Sequence, residues 1–141
     1  MANTAVMKLS TPVLQAGATQ RQQSEAKYSM FNIKMSNVKN YVDALIASKK
    51  VVVFSKSYCP YCTKARKALA SFPLKEDALE WIEINERSDC SQIQDYLLSV
   101  TGSRSVPRVF IGGEFFGGGD QTAAAKQSGL LEKKLRAVAA I

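Results

Sequence analysis

The chain has 141 residues, of which 46% are apolar, enough for one globular domain with its own core. It contains three cysteines and no histidine, which excludes Ser-His-Asp hydrolysis and Cys-His proteolysis and leaves fewer Cys and His residues than the four ligands of a structural zinc site. The net charge of +7 is not evenly spread, because residues 1–35 hold four Lys/Arg against one Glu (+3) and residues 36–141 hold fifteen against eleven acids (+4), so the domain is only mildly basic. The sequence therefore predicts no dense basic surface for nucleic acid.

Residues 1–35 are rich in Gln, Ser, Thr and Ala and show no sustained hydrophobic periodicity, which predicts a disordered extension. The segment is also poor in acids and rich in hydroxyl groups, so a targeting segment is the alternative, although Arg21 is its only arginine. We see no apolar run typical of a secretory signal or a membrane span. These features predict a cytoplasmic location, or a mitochondrial one if residues 1–35 are a targeting segment.

Residues 36–141 are predicted to form a single folded domain. Ser36 suits the N-cap of a first helix, whose apolar face would carry Val38, Tyr41, Val42, Leu45 and Ile46. The β-branched run Val51–Phe54 predicts a strand covered on both faces, and Leu79–Ile84 predicts a second strand.

The third helix is predicted from Asp89 and Gln92, which resemble a capping box. This helix would point Ile93, Leu97 and Val100 inward and end at Gly102. Cys90, in its first turn, has no partner at a useful spacing and is interpreted as a bystander thiol.

The remaining segments complete a mixed sheet. Pro107–Gly112 and Glu114–Phe116 predict a third and a fourth strand joined by a glycine turn. One or two helices follow, carrying Leu130, Leu131, Leu135 and Val138. This order predicts an α/β domain with a four-stranded mixed sheet between two helical layers.

A Cys-Pro-Tyr-Cys segment at residues 59–62 joins the first strand to the next helix. Pro60 suits the first helical position, which makes Cys59 the N-cap. There, the free N–H groups and the helix dipole stabilise a thiolate, and Lys56 adds a nearby positive charge. Cys62 falls on the apolar face of the helix and is predicted to be half-buried. A nucleophilic thiol beside a resolving thiol is what disulfide exchange requires.

Two further segments could bind a ligand through their backbone. If the Val106-Pro107 bond is cis, Val106 is left with N–H and C=O groups that could pair with an extended peptide, but the sequence pattern leaves the isomer open. The segment Gly117–Asp120 offers backbone N–H groups at a helix start, which suit a carboxylate or a phosphate.

Three motifs in this order resemble the dithiol glutaredoxins. They are the Cys-Pro-Tyr-Cys signature at 59–62 behind Lys56, the segment Arg104–Ile111 with Ser105 in place of the family's Thr before Val-Pro, and the turn Gly117–Asp120 with Gly119 in the position of the family's Cys or Ser. The match runs from about residue 38 to the end of the chain. The resemblance implies a thioredoxin-like, three-layer α/β/α fold.

The resemblance also implies a function: a glutathione-dependent thiol–disulfide oxidoreductase that reduces protein–glutathione mixed disulfides and protein disulfides. Cys59 would be the nucleophile and Cys62 the resolving thiol. Glutathione would be the co-substrate, and glutathionylated or disulfide-bonded proteins the partners. No metal, nucleic-acid or membrane partner is expected, and we expect a monomer.

The glutathione-binding residues that the resemblance implies are Lys56, Tyr61, Gln94, Ser105, Val106, Pro107, Gly118, Gly119 and Asp120. In this interpretation the Val106-Pro107 bond is cis, and Val106 pairs with the backbone of glutathione. Lys56 and Gln94 would meet the glycyl carboxylate. Gly119 and Asp120 would hold the γ-glutamyl end.

Three alternatives remain open. An iron–sulfur scaffold would join two chains, each contributing Cys59 and a bound glutathione, but family members that do this usually lack the proline found here at Pro60. A thioredoxin reduced by a flavoenzyme would carry Trp-Cys-Gly-Pro-Cys, whereas Ser57-Tyr58 and Pro-Tyr occupy those places here. A protein-interaction module of the same fold is disfavoured because all three pieces of the site are intact.

Overall fold

The structure, a computed structural model, describes residues 20–141. The helices are α1 (Gln20–Ser48), α2 (Pro60–Ala70), α3 (Cys90–Thr101), α4 (Gly119–Ser128) and α5 (Leu130–Ala137). The strands are β1 (Val51–Ser55), β2 (Leu79–Glu83), β3 (Arg108–Ile111) and β4 (Glu114–Gly117). Of the helices in this part of the chain, none is long and apolar enough to cross a membrane.

The four strands form one mixed sheet in the order β2-β1-β3-β4. Strand β1 is parallel to β2, with Val51 opposite Leu79, and antiparallel to β3, with Phe54 opposite Arg108. Strand β4 is antiparallel to β3. Because β1 lies between two neighbours and under helices on both faces, all of its residues are buried, and the predicted mixed four-stranded sheet is confirmed.

Alternate residues of β1 enter two separate cores. Val51 and Val53 pack with side chains of α2, α4 and α5, whereas Val52 and Phe54 pack with side chains of α1 and α3. This division follows from the strand's period of two, which points successive side chains to opposite faces. The three-layer α/β/α architecture is therefore confirmed.

Helix α1 begins at Gln20 rather than at Ser36. Residues 20–35 form part of this helix, and the side chains described between Gln20 and Ile33 are exposed. These residues are rich in Gln, Glu, Lys, Ala and Met, which have high helix propensity, but they form no apolar stripe. The helix is therefore not visible in the hydrophobic periodicity of the sequence. The expectations for residues 1–19 lie outside the described residues. By its internal contacts the chain divides into two units, and the boundary between them lies between Ser36 and Asn37.

Two details of α3 differ from the prediction. The Asp89 side chain makes no capping hydrogen bond, because its carboxylate accepts two hydrogen bonds from Arg87, at 2.8 and 3.0 Å. Val100 is 46% exposed, whereas Ile93 and Leu97 are fully buried, so its predicted inward orientation is wrong. The predicted end of the helix is confirmed, since Gly102 adopts a left-handed φ of 86°.

Candidate active site

Cys59 lies immediately before α2, at the end of the loop that follows β1. Its backbone is extended (φ −95°, ψ 119°) and Pro60 takes the first helical position, which confirms Cys59 as the N-cap. The Cys59 N–H donates to the carbonyl oxygen of Lys56 at 3.1 Å, and the Cys59 thiol donates to the carbonyl oxygen of Val106 at 3.7 Å. Cys59 is half-buried and its thiol is free.

Cys62 lies one helical turn further on and is only 2% exposed, which is more buried than the sequence predicted. Burial raises its pKa to about 11, an effect that the neighbouring Cys59 reinforces and that hydrogen bonds from the Ser55 side chain and the Lys56 N–H oppose. The Lys56 nitrogen lies 3.5 Å from the Cys62 sulfur. Both cysteines are free thiols in the structure, and burial keeps the Cys62 thiol protonated at neutral pH.

A groove of about 260 Å³ lies beside the cysteines. It is lined by Tyr61, Ser105, Val106, Pro107, Arg108, Gly118, Gly119, Asp120 and Gln121. The structure thus brings together three segments that are far apart in the sequence: the start of α2, the loop before β3 and the start of α4.

The loop before β3 presents its backbone to this groove. The Val106-Pro107 peptide is cis, as the family resemblance implied. The Val106 carbonyl accepts the hydrogen bond of the Cys59 thiol. The Val106 N–H donates to no group within residues 20–141. Val106 is therefore placed to exchange hydrogen bonds with an extended peptide backbone beside the nucleophile.

The start of α4 forms the opposite wall. The Gly118 N–H donates to the Gln121 side chain at 2.9 Å, whereas the N–H groups of Gly119 and Asp120 donate to no group within residues 20–141. A Cβ atom at Gly119 would lie 2.6 Å from the carbonyl oxygen of Tyr61, so only glycine allows α4 to approach α2 this closely. The free N–H groups at a helix N-terminus suit an anionic ligand.

Two of the predicted binding residues lie outside this groove. Lys56 lines a second cavity of about 310 Å³, together with Cys62, Arg66 and other residues. The Gln94 amide donates to the carbonyl oxygen of Arg104 at 2.9 Å and faces the loop that precedes β3. The structure does not bring these two side chains together with the rest of the predicted set.

Arg108 and Gln121 line the groove but were missed in the sequence. A signal for Arg108 was present, because an arginine interrupts the otherwise apolar pattern Val-Pro-Arg-Val-Phe-Ile at 106–111. A charged residue within a buried strand often has a polar partner or a ligand. Gln121 carried no comparable signal. Among the described residues, no group of three or more Cys, His, Asp or Glu side chains is placed to hold a metal ion.

Comparison with known proteins identifies this arrangement. A family model described as glutaredoxin matches residues 51–116. Glutaredoxin-1 of the rabbit, Oryctolagus cuniculus, is 43% identical over 101 residues, which cover 72% of this chain and 95% of that protein. The chain belongs to the glutaredoxin family. The predicted family and its enzyme class, glutathione-dependent oxidoreductase, are confirmed.

Solved glutaredoxin structures share the fold. Oxidized glutaredoxin 2 from Chlamydomonas reinhardtii is 48% identical with a TM-score of 0.71, and the match covers 76% of this chain and 98% of that one. The buckwheat glutaredoxin–glutathione complex is 35% identical with a TM-score of 0.71, covering 77% of this chain and 96% of that one. The thioredoxin-like fold predicted from the sequence is confirmed.

Proposed function

We propose that this glutaredoxin reduces protein–glutathione mixed disulfides through Cys59 alone, and protein disulfides through Cys59 and Cys62 together. The observation that carries the proposal is the position of the Cys59 sulfur, 3.7 Å from the Val106 carbonyl at the edge of the groove. A glutathione cysteine held along the backbone of Val106 would present its sulfur to Cys59. The substrates bound here would therefore be glutathione adducts.

The reaction takes place in two exchanges. In the first, the Cys59 thiolate attacks the glutathione sulfur of the mixed disulfide; a Cys59–glutathione disulfide forms, and the substrate thiolate leaves and takes up a proton. In the second, the thiolate of a free glutathione attacks the adduct, releasing oxidised glutathione and the Cys59 thiolate. For a protein disulfide, the Cys59 thiolate attacks one of its sulfurs, forms a Cys59–protein mixed disulfide and releases the other sulfur as a thiolate. Cys62 then loses its proton and attacks the Cys59 sulfur, which forms the Cys59–Cys62 disulfide and releases the second protein thiolate. Two glutathiones reopen the Cys59–Cys62 disulfide and leave as oxidised glutathione.

The groove suits the three parts of glutathione. We propose that Val106 pairs with the cysteinyl backbone, with Tyr61, Ser105 and Pro107 as neighbouring walls. The γ-glutamyl end would lie on Gly118, Gly119 and Asp120. Buckwheat glutaredoxin, a relative of the same fold, was solved in complex with glutathione, which supports glutathione as the ligand.

The glycyl carboxylate would lie beyond the end of the groove, near Lys56 in the second cavity. Within the described residues, the Lys56 ammonium makes no ion pair, so it is available for this carboxylate. Gln94 would join it by exchanging its hydrogen bond to the Arg104 carbonyl for one to the substrate. Both roles therefore require these side chains to turn towards the ligand.

We further propose that the protein works as a monomer on glutathionylated and disulfide-bonded proteins. Its location would be cytoplasmic, or mitochondrial if residues 1–35 act as a targeting segment. Fractionation of cells that express the tagged chain, with and without residues 1–35, tests the location. The molar mass of the reduced protein with glutathione, measured by light scattering, tests whether it is a monomer.

The test of function is glutathione-dependent reduction of a glutathionylated peptide by the intact protein, Cys59→Ser and Cys62→Ser. We expect activity from the intact protein and from Cys62→Ser, and none from Cys59→Ser. Cys90→Ser is the matched control, because Cys90 lies outside the groove and should be dispensable. If the intact reduced protein is inactive, the proposed site is wrong, and the iron–sulfur scaffold becomes the leading alternative.

A further inference from the structure

Arg108 is the one charged residue that is buried in the described part of the chain. It begins β3, where every residue is buried, and it is only 9% exposed. Burial of a charged side chain carries a large desolvation penalty unless an opposite charge or several hydrogen bonds compensate for it. The groups that contact this guanidinium therefore show whether its desolvation is compensated within the protein.

All of the partners found within residues 20–141 are neutral. Arg108 Nε donates to the Pro107 carbonyl at 3.0 Å, one terminal nitrogen donates to the Ser105 hydroxyl at 3.3 Å, and the other lies 3.5 Å from the Thr101 hydroxyl. The guanidinium also stacks over the Phe115 ring at 4.9 Å. No carboxylate in this part of the chain forms an ion pair with it.

A guanidinium keeps its charge even in such a site, because its pKa lies far above neutrality. Burial lowers the pKa of Arg108 from its ordinary value, but a guanidinium is not deprotonated at neutral pH in proteins. A planar guanidinium has five N–H groups, and the three contacts above occupy three of them. The side chain is thus a buried cation with unused donors and without a counter-ion among the residues described.

The guanidinium also lines the groove beside the free N–H groups of α4. A Cβ atom at Gly118 would lie 2.9 Å from an Arg108 terminal nitrogen, so the missing side chain keeps this nitrogen open to the groove. The N–H groups of Gly119 and Asp120 contribute a second positive element at the same wall. The two elements together suit a carboxylate, which guanidinium groups bind with directed hydrogen bonds.

We propose that Arg108 is a specificity-determining residue whose guanidinium binds the α-carboxylate of the glutathione γ-glutamyl group. The N–H groups of Gly119 and Asp120 bind the same carboxylate, and the Asp120 side chain takes the neighbouring α-ammonium. In the unliganded protein Asp120 is paired with Lys64 at 2.7 Å, so this ion pair opens when substrate binds. The inference rests on the proposed function and adds to it the group that recognises one end of the substrate.

Arg108 could instead be only a brace for the loop, since it also holds the Pro107 carbonyl and the Ser105 hydroxyl. A brace would affect every substrate to the same extent. A carboxylate-binding residue would affect only substrates that carry the carboxylate. The two roles are therefore separated by substrate analogues and not by a loss of activity alone.

The experiment uses one peptide in mixed disulfide with three thiols: glutathione, 4-aminobutanoyl-Cys-Gly, which lacks the α-carboxylate, and glutaryl-Cys-Gly, which lacks the α-ammonium. The rate of peptide release in a single turnover is measured against substrate concentration for the full chain, Arg108→Met and Arg108→Lys. For Arg108→Met we expect a loss of roughly 10-fold to 100-fold in the apparent second-order rate constant, mainly through a higher half-saturating substrate concentration, with the glutathione and glutaryl substrates. The 4-aminobutanoyl substrate should change by less than about 2-fold.

Arg108→Lys keeps the charge without the planar fork, so it should recover part of the selectivity. If Arg108→Met does not fold, the three substrates are compared between Arg108→Lys and the unmodified protein. Arg136→Met, which removes an exposed arginine of α5, is the matched control and should leave all three rates unchanged. Equal losses with all three substrates, or no loss with any, would overturn the inference. Failure of the unmodified protein on the glutathione substrate would instead overturn the proposed function.

Discussion

The burial of Cys62 predicts that closure of the Cys59–Cys62 disulfide depends steeply on pH. With a pKa of about 11, roughly one Cys62 in 10,000 is a thiolate at pH 7 and roughly one in 100 at pH 9. Since only the thiolate attacks, the first-order rate of closure should rise about tenfold per pH unit in this range. Because so little Cys62 is a thiolate near neutral pH, free glutathione, and not Cys62, should resolve most Cys59–glutathione adducts there.

The assay begins with the protein carrying one glutathione on Cys59 and no free glutathione. Samples are transferred to buffers between pH 7 and pH 9, quenched in acid at intervals and separated into adduct and internal disulfide by mass spectrometry. Cys62→Ser is the control, because its adduct cannot close and should persist at every pH. Cys90→Ser shows whether the third thiol competes.

A rate of closure that is the same at pH 7 and pH 9 would refute this reasoning. It would mean that Cys62 is already ionised at neutral pH, or that a step other than its deprotonation limits closure. A rise of about 100-fold between the two pH values would confirm that burial of the sulfur controls the dithiol route. A small rise, of about 2-fold, would place the pKa of Cys62 near or below neutrality.

Three further predictions concern stability. Gly119→Ala places a Cβ atom 2.6 Å from the Tyr61 carbonyl oxygen, so urea denaturation should show a loss of about 1–3 kcal/mol in the free energy of unfolding. Phe54→Ala empties a fully buried position and should cost about 3–5 kcal/mol in the same assay, whereas Leu98→Ala, at a residue 44% exposed, should change it by less than about 0.5 kcal/mol. The raised pKa of Cys62 leaves stability unchanged below about pH 7.5, where the thiol is protonated in both the folded and the unfolded state. As the pH rises towards 11 the unfolded thiol ionises first, so the free energy of unfolding should fall by up to roughly 2–3 kcal/mol. Cys62→Ala should remove that part of the fall, and a profile identical to that of the unmodified protein would contradict it.

Local features of the site could be predicted because they depend on neighbouring residues. Pro60 at the first helical position was enough to place Cys59 at the N-cap, and the positive φ of Gly102 follows from the need for a left-handed residue at the end of α3. The alternation of Val51–Phe54 between two cores follows from strand geometry. The inward orientation of Val100 was predicted from the helical spacing alone, and it is wrong because that position near the end of α3 is exposed.

The local residue patterns were thus sufficient to predict the strands, most of the helices, the N-cap cysteine and the family to which the three motifs point. The tertiary structure alone decided how deeply Cys62 is buried and which side chains meet in the groove. Arg108 lies far along the chain from Tyr61, and no local pattern could show that both line one cavity with the start of α4. Such convergence depends on the packing of elements that are distant in the sequence, and burial, which sets the protonation of Cys62 and leaves Arg108 without a counter-ion, exists only once those elements have packed.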